Sequence, residues 1–249
     1  MARDPEVLAH QEWLGFIQPV GLVVSIPALI SAQAFVNRNI VSRQQALLNC
    51  VRHDGKGEFI PDLVDFREFT RTVLEWEPDD LLPAEGGAFD GLEVMLPEYQ
   101  ETLKPTYVVP EVEVEDGEKR ILMLVQELSA GVSLDEVRSE GAPKWQASPH
   151  AKFERLLREV DVPIGLLHNG LKIRLIYAPR GETSGYMTFS VKDMITVAGR
   201  PLLAGLHMLL SSERLFTLAQ RQRLPAILAE SRKYQSTVST ELAEQVLAA

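Results

Sequence analysis

The chain has 249 residues, of which 45% are hydrophobic and 24% charged, a composition that fits one large globular domain or two small ones with a sizeable core. Its single cysteine, Cys50, excludes an internal disulfide and fits a reducing compartment. The net charge of −10 is uneven: residues 1–142 hold 11 Lys+Arg against 26 Asp+Glu, and residues 143–233 hold 14 against 7. Such a split suits a face for a polyanion or an acidic partner, or two halves of one fold that attract each other.

In chain order, Val7, Leu8, Trp13, Leu14 and Phe16 predict an opening helix that Pro19 and Gly21 break. Pro27 starts a second helical run to Val36, and Ser42 is placed to cap a third from Arg43 to Arg52. Cys50 falls on the apolar side of that third helix, where a buried structural thiol is the better reading than a nucleophile. Leu63, Phe66, Phe69, Val73 and Leu74 recur at three- and four-residue spacings and predict a fourth helix from about Asp62 to Trp76. The acidic, turn-rich stretch 78–91 then reads as a linker.

Short β-type runs follow at Tyr107–Val109, Ile121–Val125, Ile164–Leu167, Ile173–Tyr177 and Tyr186–Phe189. Asp116-Gly117 and Asn169-Gly170 are hairpin dipeptides between successive runs. A helix capped by Ser148, with Pro149 at its first position, interrupts the strands and buries Phe153, Leu156, Leu157 and Val160. Leu202 to Leu210 form another helix. A longer one starts at Leu224, and its seam (Ile227, Leu228, Ser231, Tyr234, Val238, Leu242, Val246) meets no stop signal by Ala249. The expected class is α+β. It divides into a helical N-terminal region over residues 1–77, the linker 78–91, a strand–helix–strand core over 92–198 and C-terminal helices over 199–249.

The five histidines (His10, His53, His150, His168, His207) are scattered, with no pair at i, i+4, so a histidine metal site is not expected. No Gly-x-Ser-x-Gly elbow and no Gly-x-Gly-x-x-Gly turn occurs. The loop Arg180–Gly185 lacks the Gly-x-x-x-x-Gly-Lys pattern of a phosphate loop. The longest apolar stretch, Val20 to Ile30, contains Pro27 and is too short to span a bilayer, and no basic start leads into an apolar core. The expectation is a cytoplasmic protein with no membrane contact.

The strand layout is that of metal-dependent nucleases of the PD-(D/E)xK type, in which an acid on one strand and acid–x–Lys on the next surround Mg²⁺. Here Tyr107 stands near the first acid, and Gln126 and Leu128 stand at the second acid and the lysine. Glu127 is a displaced carboxylate that strand alternation turns away from its neighbours.

Several stretches then carry a family resemblance: Trp13–Val24, Phe153–Glu159, Pro163–Gly170, Ala178–Glu182 and Glu230–Gln235. They resemble the N-terminal region of large type IIG-like restriction-modification DNA adenine methyltransferases, including DISARM-type defence methylases. The resemblance implies an accessory domain with a degenerate nuclease core. The domain would supply scaffold and contacts to the DNA backbone or to a partner. It also implies that S-adenosylmethionine belongs to a downstream methylase domain and that this chain holds no cofactor, no metal and no catalytic residue. The methylase motifs themselves, the cofactor-loop glycines and an Asn-Pro-Pro-Tyr, are absent from the sequence.

Within the basic stretch, Arg155, Arg158, Arg174, Arg180, Arg232 and Lys233 are the candidate phosphate contacts. A solvated surface paired to the acidic half is the structural alternative. The C-terminal seam is the candidate contact with a downstream methylase domain or a second copy. Two further readings stay open: an active Mg²⁺-dependent endonuclease using Glu111, Glu113 or Glu127, and a stand-alone interaction module.

Overall fold

The computed structural model describes residues 4–87, 89–111, 120–137 and 145–234. It is an α+β arrangement with helices at both ends and a mixed sheet in the centre. The opening helices are α1 (Pro5–Leu14), α2 (Ile26–Ser31) and α3 (Val41–Cys50). Asp4 caps α1 by accepting from the Glu6 amide, and Ser25 caps α2 by accepting from the Ala28 amide. The second helix is shorter than its sequence suggests, because Gln33 at φ 52° turns the chain out of helical geometry before Val36.

Two further helix expectations need correction. Ser42 does not cap α3: the helix already begins at Val41 behind Ile40, with no side-chain cap, and ends at Cys50. The expected helix from Asp62 is instead a strand followed by a shorter helix. Strands β1 (Val51–His53) and β2 (Phe59–Leu63) form an antiparallel hairpin, and α4 spans Phe66–Thr72. Asp65 fixes the start of α4, its carboxylate accepting from the amides of Arg67 and Glu68.

Within the stretch 78–91, expected as a linker, Leu82-Pro83 forms β3 and pairs with β6 (Tyr107–Pro110) at the edge of the main sheet. Strands β4 (Val94–Leu96) and β5 (Glu101–Leu103) add a small hairpin that the sequence did not suggest. The remaining strands are β7 (Ile121–Glu127), β8 (Ile164–His168), β9 (Lys172–Tyr177) and β10 (Gly185–Ser190). They lie close to where the apolar runs predict them.

The sheet order is β10-β9-β8-β7-β6-β3, antiparallel throughout except for β7 and β8. Helix α5 (Pro149–Glu159) connects that parallel pair. The turn between β8 and β9 is closed by Asn169, whose side-chain oxygen accepts from the amides of Leu171 and Lys172, with Gly170 at φ 79°. Asp116-Gly117 lies outside the described residues. At the other edge, Val20 exchanges two backbone hydrogen bonds with Tyr186 of β10 (3.0 and 2.8 Å).

The sheet is buried on both faces, which explains why β8 and β9 read as near-continuous apolar runs rather than alternating ones. On one face Ile164, Leu166, Ile173, Leu175, Met187 and Phe189 pack against the N-terminal helices, the short α6 (Val191–Met194), α7 (Arg200–Leu210) and the helix over residues 224–234. On the other face Leu124, Leu167 and Ile176 meet Phe153, Leu156 and Leu157 of α5. Leu224, Ile227, Leu228 and Ser231 of the last helix are buried, and Ser231 Oγ accepts from the Ser25 amide at 2.9 Å. That half of the seam belongs to the domain's own core. Val238, Leu242 and Val246 lie outside the described residues. No helix among the described residues is long and apolar enough to cross a membrane.

Candidate functional site

In open sheets, ligands bind beyond the carboxyl ends of parallel strands, where the chain leaves the sheet in different directions. Among the described residues, the β7–α5–β8 unit is the one place where this sheet has such ends. Ser148 Oγ accepts from the Ala151 amide at 3.2 Å and fixes the start of α5. Gly165 lets the helix lie directly on β8: a Cβ there would sit 2.7 Å from Phe153 Cε1 and 2.8 Å from Leu157 Cδ1. The strands then finish at Glu127 and His168, bridged by the Leu128 amide donating to the His168 carbonyl at 2.8 Å.

The two faces of this end differ. Gln126 points to the α5 face, where a cavity of about 230 Å³ is lined by Gln126, Leu128, Lys104 and Lys152. Both lysines are already engaged, Lys104 with Glu93 at 2.9 Å and Lys152 with Glu101 at 2.6 Å. Glu127 points to the opposite face and accepts from the Tyr107 hydroxyl at 3.1 Å. Burial first, and then the Glu127 charge, push the Tyr107 phenol above its ordinary pKa. The alternation expected for Glu127 is therefore the geometry observed, and Tyr107, expected in the place of an acid, is its partner.

On the Glu127 side a cavity of about 340 Å³ is walled by Arg52, Asp62, Glu127, His168 and Asn169, among others. Asp62 is tied to Arg52 at 2.7 Å. His168 is 2% exposed and stacks on Phe66 with ring centroids 3.8 Å apart and planes at 14°. Neither of its ring nitrogens has a hydrogen-bond partner, and burial holds its pKa at about 3, so the ring is neutral.

Among the described residues, no group of three or more His, Cys, Asp or Glu side chains could hold a metal ion. Of the carboxylates considered for an endonuclease, Glu111 bonds through its amide to the Arg120 carbonyl at the start of β7, whereas Glu127 ends that strand. Seven residues of extended chain place them roughly 20 Å apart, too far to share one ion. Glu113 lies outside the described residues.

Most of the candidate phosphate contacts are already engaged by neighbouring groups. Arg155 pairs with Glu98 (3.3 Å) and Glu159 (3.7 Å) and lies over the Trp145 ring. Arg158 pairs with Glu154 at 3.2 Å, and Lys233 with Glu230 at 2.9 Å. Arg232 donates to Thr183 Oγ1 at 3.1 Å and sits 3.9 Å from Glu182. Arg180 is exposed on the loop between β9 and β10.

Arg174 is a correction. It is 3% exposed, and two of its guanidinium nitrogens bond both oxygens of Asp135 (2.6 and 2.8 Å). Its Nε donates to Thr188 Oγ1, and the group covers the Tyr186 ring at 4.1 Å. A guanidinium so enclosed is not available to a phosphate. The Asp135 carboxyl is held below the ordinary carboxylate range, first by the hydrogen bond from Arg174. No local pattern could have paired two residues 39 positions apart.

Among the described residues, pairs that cross between the acidic and basic portions of the sequence include Arg174–Asp135, Arg155–Glu98 and Lys152–Glu101. Some of the charge asymmetry is thus neutralised inside the fold. No family model, curated protein or solved structure matches the chain.

Proposed function

We propose that this chain is a catalytically inactive, nuclease-like accessory domain of a bacterial DNA-modification methylase. It contributes scaffold and contacts to the DNA backbone or to a partner. The observation that carries the reading is the end of the parallel strand pair. Where a metal-dependent nuclease gathers two acids and a lysine on one face, this chain has Gln126 on one face, Glu127 on the other and the apolar Leu128 between the two cavities. Glu127 is occupied by a hydroxyl, and the nearby Asp62 by a guanidinium. The membership of a methylase system rests on the sequence resemblance, and the DNA contact on the surplus of Arg and Lys after residue 142.

The reading is tested first by cleavage. Purified protein incubated with supercoiled plasmid and Mg²⁺ or Mn²⁺ is expected to leave it intact. Nicking that Glu127→Ala abolishes and Glu136→Ala does not would replace this reading with an active endonuclease.

A methyl-transfer role within the chain itself is tested by calorimetry. Titration with S-adenosylmethionine is expected to give no saturable heat, since no glycine-rich turn follows a strand to cradle the cofactor. One-to-one binding would place the cofactor here rather than in a methylase domain.

A further inference from the structure

A cavity of about 220 Å³ lies between α1 and the start of α7, and Glu12, Arg38 and Arg200 reach its wall. These two arginines are held differently from Arg43, Arg52, Arg155, Arg158 and Arg174, each of which pairs with a carboxylate. Arg200 donates Nε to Gln44 Oε1 at 2.8 Å. Gln44 is itself 4% exposed and anchored through Nε2 to the carbonyls of Met194 (2.9 Å) and Thr196 (2.6 Å). Arg38 donates to the Pro5 carbonyl at 3.3 Å.

Neutral acceptors fix the direction of a guanidinium without cancelling its charge, and they leave its other N–H groups for a second partner. Glu12 lines the same cavity, yet no ion pair joins it to Arg38 or Arg200 among the described residues. Two arginines oriented by neutral acceptors therefore line one cavity, with no carboxylate in ion-pair contact with either among the described residues.

We infer that Arg38 and Arg200 form a seat for a phosphodiester of duplex DNA. Arginine matches phosphate oxygens with paired N–H donors, which suits this anion better than a point charge would. The cavity is smaller than the ~300 Å³ usual for whole small-molecule ligands, so it fits a group on a larger polymer rather than a free nucleotide. Glu12 opposes any anion, and a dianion more than the single charge of a phosphodiester. The inference rests on the DNA contact within the function proposed above, and it moves that contact to residues outside the set chosen from sequence.

The test is fluorescence anisotropy of a labelled duplex titrated with the whole chain at several salt concentrations. Arg38→Gln is expected to weaken binding several-fold at low salt, uniformly across sequences, and to reduce the salt slope by about 0.9; the double variant with Arg200→Gln should reduce it by about twice that. Glu12→Gln should tighten binding, an effect that a merely structural role for this surface would not produce. If Arg200→Gln unfolds, Arg38→Gln and Glu12→Gln carry the test, because both side chains lie at the surface. Unchanged affinity and slope in Arg38→Gln would overturn the seat and leave DNA contact elsewhere intact. A wild-type chain that binds no duplex at low salt would overturn both.

Discussion

Acidification below pH 6.5 is expected to cost the protein roughly 1.4 kcal/mol of stability per pH unit through His168 alone, down to a pH of about 3. The sign follows from where the proton goes. An unfolded histidine takes it up near 6.5, whereas burial keeps the folded His168 neutral to about 3. In that window the unfolded state binds more protons, so stability is full above it and is lost as pH falls. His10, His150 and His207 are also lowered, each chiefly by burial, and act in the same direction. Asp135, lowered by Arg174, adds a contribution that is present above the ordinary carboxylate pKa and lost as pH falls below about 4. Against a typical total of ~5–15 kcal/mol, the roughly 5 kcal/mol lost through His168 by about pH 3 is a large share, so the protein should be markedly acid-labile. Urea midpoints at pH 7, 6, 5 and 4 measure the slope, and His168→Leu should flatten it by about one proton. An unaltered slope in that variant would remove His168 from the account.

Trp13→Ala should destabilise the fold by ~3–5 kcal/mol, the range for deleting a buried large aromatic. At this chain length that corresponds to a fall in Tm of roughly 10 °C. Trp13 is 0% exposed, donates its indole N–H to His10 Nδ1 at 3.1 Å and stacks on Phe189 of β10. It also fixes how closely α7 approaches α1. A Cβ on Gly205 would lie 2.5 Å from the indole Cδ2, so only a glycine permits that contact. Gly205→Ala should cost ~1–3 kcal/mol by overpacking. The double variant should cost less than the two single effects added, because removing the ring makes room for the new methyl. Additive effects would mean that ring and glycine are not in the contact described.

The sequence shows the strands β6 to β10, α5 and α7 clearly, because each is an apolar run bounded by its own turn or cap. It misleads where a three-residue spacing spans two elements. Leu63 and Phe66 fall on one helical stripe by count, yet Leu63 ends β2 and Phe66 begins α4. The signal that separates them is legible: Asp65 followed three residues later by Glu68 is a helix-start pattern. Strand β3 is two residues long and contains Pro83, so no periodicity could reveal it. At the site, the alternation of Gln126 and Glu127 follows from strand geometry alone. The partners of Glu127 and Arg174 lie 20 and 39 residues away, and only tertiary structure supplies them, whereas Asp62 meets Arg52 across its own hairpin.

The two edges of the main sheet carry a consequence for assembly. A strand with an open row of backbone donors and acceptors is a template on which another chain can extend the sheet. Here Val20 already occupies backbone groups of Tyr186 on β10, and Gly185 is pressed so close to Leu22 that a Cβ would lie 2.7 Å from its carbonyl oxygen. The opposite edge is a strand of two residues, one a proline without a donor. Among the described residues, one edge is thus interrupted at Tyr186 and the other is too short to form a long template. Extension of the main sheet by a foreign strand is therefore disfavoured at both ends, and a partner of this sheet is expected to meet side chains before it meets open backbone.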